Sequence, residues 1–219
     1  MLEIKNVSVD LAGTNILRDI NATFQNGTTV GIVGRNGAGK TTLLRSIMGL
    51  IKIKSGEIQL DDVLLSEKHG YERAFLKIGY APENRVIYPT LTVEENLRMP
   101  CEVQSYSAHE TNQKLEQVVE VVPQLKPLLE RSGAALSGGQ GKMVALGRAI
   151  MIGERLLLLD EPFQGLAPKL GHEYTDALSR LKKIRSDLCV IITESNIKLL
   201  GSIPDQIWNI DRGKISLYE

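Results

Sequence analysis

The chain has 219 residues, 42% of them hydrophobic and 24% charged, a globular composition and not that of a disordered chain. Lys plus Arg number 26, as do Asp plus Glu, and a formal charge of zero argues against a nucleic-acid coat or a polybasic membrane anchor. A chain this long forms one compact domain, or one domain with a small lobe, and hides roughly 70% of its unfolded surface.

Leu2-Glu3-Ile4-Lys5 alternates and Val7-Ser8-Val9 resumes out of phase, which predicts an N-terminal strand with an irregularity. Asn26-Gly27 signals a turn between two strand-like runs. Thr29 to Val33 reads as a buried strand, followed by a Gly-rich segment and a helix from Thr41 to Met48 that ends near Gly49. From about 85 to 150 the pattern is mostly helical. Thr92 and Glu95 match a capping box. Leu115, Val118, Val119 and Val122 share one helical face, and Pro123 and Pro127 break it.

Alternation of strand and helix then returns. Leu156 to Leu159 and Leu188 to Thr193 read as parallel strands covered on both faces. Pro168 opens a helix whose apolar stripe is Leu170, Tyr174, Ala177, Leu178, Leu181 and Ile184. Asn209 to Lys214 reads as a closing hairpin. Such alternation argues for a parallel sheet flanked by helices. No apolar run approaches the roughly 20 residues of a spanning helix, and MLEIKNVSVD does not read as a secretory signal. Cys101 and Cys189 lack CxxC spacing and are expected to be reduced thiols. The three histidines lack metal-pair spacing and are expected in solvent.

The sharpest motif is Gly34-Arg35-Asn36-Gly37-Ala38-Gly39-Lys40-Thr41, a G-x-x-x-x-G-K-[ST] loop between a buried strand and a helix. Glycines let backbone N–H groups wrap polyphosphate oxygens, and the helix N-terminus favours the anion. Lys40 reaches the outer phosphates and the Thr41 hydroxyl ligates Mg²⁺. Asp160 and Glu161 end a buried strand, and ligands of open parallel sheets sit at the carboxyl ends of strands. Asp160 is therefore placed to hold Mg²⁺ and Glu161 to orient or deprotonate a water. Leu136-Ser137-Gly138-Gly139-Gln140 carries an N-cap serine and then two glycines. Two readings fit: a simple helix cap, or a bare helix start open to an anion.

GRNGAGKT, LSGGQ and LLLLDEP, in that order, resemble the nucleotide-binding subunits of ABC transporters across essentially the whole chain. The resemblance implies an α/β fold: a RecA-like P-loop NTPase core, an antiparallel β subdomain and an inserted α-helical subdomain. Residues 1–219 would form a single ABC ATPase domain, with the core and β lobe at about 1–84 and 154–219 and the helical lobe at about 85–153. The implied cofactors are ATP and Mg²⁺, and the implied activity is transport-coupled ATP hydrolysis. The implied partners are a second ATP-binding subunit, in a homodimer or heterodimer, and integral-membrane permease subunits; no nucleic acid is implied. Such a chain is cytoplasmic and peripheral on the cytoplasmic face of the cell membrane. Head-to-tail pairing would place each ATP between the phosphate loop of one subunit and Ser137, Gly138, Gly139 and Gln140 of the other. Thr42 joins the phosphate loop in holding nucleotide, Glu83 joins Thr41 and Asp160 at Mg²⁺, and Glu161, Lys40 and Ser195 take the catalytic positions. The segments Ala81 to Arg85, Tyr88 to Leu97 and Glu161 to Pro168 are similar to the ATPases of branched-chain amino-acid and urea-type importers. By the same resemblance, Tyr88 and the Thr92–Met99 stretch face the membrane subunit.

Four positions depart from that pattern. Leu11 stands where an aromatic usually stacks on adenine, and stacking is worth roughly 1–3 kcal/mol per base. Weak base selectivity and modest ATP affinity are therefore expected. Ser195 replaces the switch histidine with a short, uncharged donor. Glu83 replaces a glutamine, and Ala167 replaces a loop aspartate. These favour binding over turnover and leave a second reading open: a nucleotide-binding regulatory subunit paired with an active sibling.

Overall fold

The structure is a computed structural model that describes residues 1–218. Strands β1 (Leu2–Leu11) and β2 (Thr14–Phe24) form an antiparallel hairpin. Its two turn residues, Ala12 and Gly13, have φ of 48° and 80°. Positive φ at both positions is the type I′ turn whose twist matches the flanking strands. The predicted irregularity is real: register shifts fall between Ile4 and Val7 and between Val7 and Val9. Strand β4 (Ser55–Leu60) pairs with the other edge of β1, and the short β5 (Val63–Leu64) completes a four-stranded antiparallel sheet.

The second sheet has six strands in the order β10-β9-β3-β8-β7-β6. Its members are β3 (Thr29–Val33), β6 (Ile78–Ala81), β7 (Leu156–Asp160), β8 (Cys189–Glu194), β9 (Gln206–Asp211) and β10 (Lys214–Leu217). All neighbours are parallel except β10, which returns antiparallel on β9. Strands β3, β7 and β8 are buried along their whole length, as an apolar strand covered on both faces must be. The period of two then sorts their side chains into two cores. Leu156, Leu158, Cys189, Ile191, Val30 and Ile32 face α1 (Lys40–Ile47) and the antiparallel sheet. Leu157, Leu159, Val190, Ile192 and Val33 face the helical segment and α6 (Pro168–Ile184).

The helical segment holds α3 (Val93–Val103), α4 (Ala108–Val121) and α5 (Gly138–Ile152). Each begins with a capping box, Thr92 with Glu95, Ser107 with Glu110 and Ser137 with Gln140. Two orphan donors per helix are satisfied this way. Helix α3 runs through Pro100, and Pro123 and Pro127 carry a 3₁₀ turn after α4. Helix α5 crosses β6 at very short range: a Cβ on Gly79 would sit 2.1 Å from the Ala149 carbonyl oxygen. Glu154 also ties the segment to the core through ion pairs with Lys77 and with Lys114 of α4.

Some sequence expectations shift. Ile184, placed on the α6 stripe, is the last residue of the helix and is 42% exposed. The short α2 (Gly70–Ala74), β5 and β6 carried no periodic signal long enough to find. Both cysteines are buried and unpaired, and His69, His109 and His172 are exposed.

Candidate functional site

Strand β3 delivers the chain into a loop that turns at Gly39, whose φ of 113° lies where only glycine is comfortable, and α1 begins at the next residue. Lys40 is thereby buried at 4% exposure. Its ammonium donates to the carbonyls of Gly34 at 2.7 Å and Arg35 at 3.2 Å. It also lies 3.0 Å from Oε1 of Glu161. A buried ammonium of this kind is a point charge held ready inside the loop.

Strands β7 and β8 end beside it. Thr41 Oγ1 donates to Asp160 Oδ1 at 3.1 Å, and Thr193 Oγ1 donates to the same oxygen at 2.8 Å. Tyr80 on β6 donates its hydroxyl to Asp160 Oδ2 at 3.3 Å. Burial pushes the Asp160 carboxyl up, and these three donors act against that shift. Burial likewise pushes the Tyr80 phenol up to about 12, so it stays a donor. Glu161 leaves β7 in the left-handed region, φ 45°, which a non-glycine residue adopts only where its surroundings enforce it. Its N–H donates to the Thr193 carbonyl at 3.1 Å. Its Oε2 is buried with no protein partner.

Lys40, Thr41 and Glu161 open onto a cleft of about 390 Å³. Asn36, Gly37, Gly39, Lys40, Thr41, Thr42, Glu83 and Glu161 all border it. Gly34 and Arg35 contribute carbonyls to Lys40, while the Arg35 side chain lines a neighbouring hollow with Asn209 and Arg212. Ala38 is buried behind the loop. Leu11 is not among the lining residues: it ends β1 beside the hairpin turn, and Ile16 on β2 borders the cleft instead. Ser195 is exposed just after β8 and does not border the cleft. Gln164 does border it. Sequence reading passed over Ile16, Gln164, Thr193 and Tyr80. Thr193 left a trace, a polar residue next to last in a strand that is apolar up to that point; Ile16 left none.

The residues fit a magnesium nucleotide. Thr41 and Asp160 offer adjacent hard oxygen ligands. Among the described residues no cluster of three or more His, Cys, Asp or Glu could hold a metal alone. A cation here needs phosphate oxygens to complete its shell, which is the habit of Mg²⁺. The start of α5 is less bare than its sequence suggests. Arg85 donates to the Gly138 carbonyl at 3.1 Å, and a Cβ on Gly139 would sit 2.2 Å from a Leu170 methyl. Packing against α6 therefore accounts for one of the two glycines, while Ser137 and Gly138 stay exposed.

A second hollow, about 670 Å³, opens between the core and the helical segment. Leu50, Tyr71, Phe75, Val86 and Val103 line it, each more than half exposed. Met99 reaches it, whereas Tyr88 lies beneath the Arg148 guanidinium, 5.1 Å from ring centroid to Cζ.

Comparison with known proteins places these features. The family described as "ABC transporter" matches residues 17–164. The chain is 29% identical to a probable branched-chain amino acid transport ATP-binding protein, LivF, of Archaeoglobus fulgidus, over 99% of this chain and 90% of that one. It is 31% identical to the high-affinity branched-chain amino acid transport ATP-binding protein BraG of Pseudomonas aeruginosa, over 100% and 92%. It is also 32% identical to the maltose/maltodextrin import ATP-binding protein MalK of Escherichia coli, but spans only 57% of that chain. Among solved structures, one described as the ATP binding subunit of an ABC transporter superposes with a TM-score of 0.84 at 26% identity, covering 100% of this chain and 89% of that one. The dimeric cassette MJ0796 gives 0.86 at 23% identity, covering 99% and 97%, a likeness of fold. Phosphate loop, signature helix, paired acids and a family match across most of the chain agree: this protein belongs to the ABC transporter family.

Proposed function

We propose that the chain is the Mg-ATP-hydrolysing subunit of an importer, and that the imported solute is a branched-chain amino acid or a related small molecule. The observation that carries the reading is the convergence of Lys40, Thr41 and Glu161 on one cleft, with Asp160 bonded to Thr41 behind it. Mg²⁺, when bound with nucleotide, supplies charge neutralisation at the phosphates. The rest is done by side chains. Lys40 exchanges its loop carbonyls for phosphate oxygens. Thr41 and Asp160 hold the cation. The unpartnered Oε2 of Glu161 accepts a hydrogen bond from the attacking water and orients it. Glu83 and Gln164 at the rim complete the enclosure.

The reading extends to assembly. Ser137, Gly138 and Gln140 cap the nucleotide of a facing subunit. The 85–153 lobe rotates against the core, and the apolar hollow receives a segment of the permease. No helix among the described residues is long and apolar enough to cross a membrane. Membership of a transporter family supports a peripheral subunit on the cytoplasmic face, where ATP is supplied. The names of LivF and BraG support amino-acid import, and the MalK likeness keeps sugar import as the rival. The test pairs two measurements. Glu161→Gln should abolish hydrolysis and trap a nucleotide-bound dimer; unchanged hydrolysis would remove Glu161 from its role. Uptake of labelled leucine should then fail in cells carrying Glu161→Gln; loss of maltose uptake alone would transfer the solute.

A second reading, a regulatory nucleotide-binding subunit, is favoured by Ser195, which is exposed and outside the cleft. Steady-state hydrolysis by the chain alone and with its sibling separates the two.

A further inference from the structure

Residues 161–163 are held from three directions. The Glu161 N–H donates to Thr193, to its carbonyl at 3.1 Å and its hydroxyl at 3.2 Å. The Phe163 N–H donates to Oε1 of Glu194 at 2.8 Å. The Glu161 carbonyl accepts from Lys142 Nζ at 2.6 Å. Thr193 and Glu194 belong to the same sheet as Glu161. Lys142 does not: it projects from α5, one turn after Ser137 to Gln140.

Burial pulls the Lys142 ammonium down, and the neighbouring Glu194, Glu83 and Glu161 carboxylates hold it up, with Arg85 opposing them. A partly buried ammonium needs polar partners. The carbonyl it holds belongs to Glu161, a non-glycine residue in left-handed backbone, φ 45°. The same carbonyl accepts from the Gln164 N–H at 3.3 Å within the turn, so Lys142 is its tie to the helical segment; loss of that tie would loosen the strained Glu161 backbone that aims the carboxylate.

Helix α5 also has a partner-facing side. Lys142, Ala145, Ala149 and Ile152 recur at helical spacing on one face. Ala145, Ala149 and Ile152 line the apolar hollow, with Arg148 beside them. The face that borders the hollow at one end thus reaches Glu161 at the other.

We infer that Lys142 is a positioning residue for the hydrolytic carboxylate: it fixes the Glu161 backbone and makes hydrolysis depend on where α5 sits. The inference rests on the reading of Glu161 as the water-orienting group. It concerns geometry in the transition state and not nucleotide affinity, because Lys142 does not border the phosphate cleft.

The test compares wild type, Lys142→Met and Lys142→Arg for kcat of Mg-ATP hydrolysis and for Mg-ATP affinity by calorimetry. Lys142→Met should lower kcat about tenfold or more while Kd stays within about twofold, the split expected when an interaction matters mainly in the transition state. Lys142→Arg keeps the charge and a donor and should restore most of the rate. A Lys142→Met enzyme as fast as wild type overturns the inference, and so does a Lys142→Arg enzyme as slow as Lys142→Met with both folded. Should Lys142→Met fail to fold, Lys142→Gln is judged by the same split; if that also fails to fold, Lys142 is a packing residue and the inference falls. A wild-type chain that binds Mg-ATP without turning it over would instead refute the reading of Glu161, and the clamp with it.

Discussion

Glu194 shows how much a single buried carboxyl can shape behaviour. It is fully buried, its Oε2 has no partner, and burial pushes its pKa up to about 7, with the Phe163 N–H working against the shift and Glu161 adding to it. Below pH 4.5, its ordinary value, folded and unfolded chains both carry the proton. Between there and about 7 only the folded chain does, so the stability from this group is lost as pH rises through that window. Thermal melts of Glu194→Gln should therefore be flatter than wild type between about pH 5 and 8, with the variant gaining ground at the upper end; parallel curves would show the carboxyl to be ionised throughout. Base recognition is a second residue-level matter. Ile16 borders the cleft and Leu11 does not, and neither offers an aromatic face. ATP and GTP should bind within about tenfold of each other by titration, since an isoleucine side chain cannot hydrogen-bond to the base edge that tells them apart. A preference for ATP of a hundredfold would point to a polar contact with the base.

At the scale of elements, the helices of the inserted segment are set by their first turns. Thr92 Oγ1 accepts from the Glu95 N–H at 3.1 Å, and Ser107 Oγ accepts from Glu110 at 3.2 Å. Thr92→Ala and Ser107→Ala should each cost ~1 kcal/mol, a Tm loss of about 2–4 °C in a chain this size. A melt unmoved by both would mean the caps are replaced by water. The same elements show what a sequence can and cannot disclose. The Thr92–Glu95 box, the phosphate loop and the apolar β7 and β8 were legible because their determinants lie within a few residues of one another. Gly139 misled in part: its missing side chain suggested a helix start kept open, yet Leu170, distant in sequence, occupies the space. Ile16 and Thr193 reach the site only because the sheet assembles, and no local pattern encodes that. The short α2, β5 and β6 fell below the length at which periodicity speaks.

For the whole molecule, the decisive surface is the hollow between core and helical segment. Phe75 and Val103, at 55% and 67% exposed, both line this largely apolar space. Exposed apolar surface gathered in one concavity marks a docking site. Phe75→Glu and Val103→Glu should leave hydrolysis by the isolated chain unchanged while abolishing solute uptake in cells. Uptake at the wild-type rate in both variants would place the permease contact elsewhere.

The meeting of Gly79 with Ala149 carries a mechanical consequence. Two main chains approach there until not even a methyl group fits between them, so that crossing is the least yielding point along α5. A rod held near one end moves most at the other. Displacement of the helical segment would therefore pivot at this crossing and be magnified at Ser137 and Gly138, which project farthest from it. Gly79→Ala would wedge the fulcrum open. It should misplace the tip as well as loosen the fold, so facing subunits would close poorly even at temperatures where each remains folded.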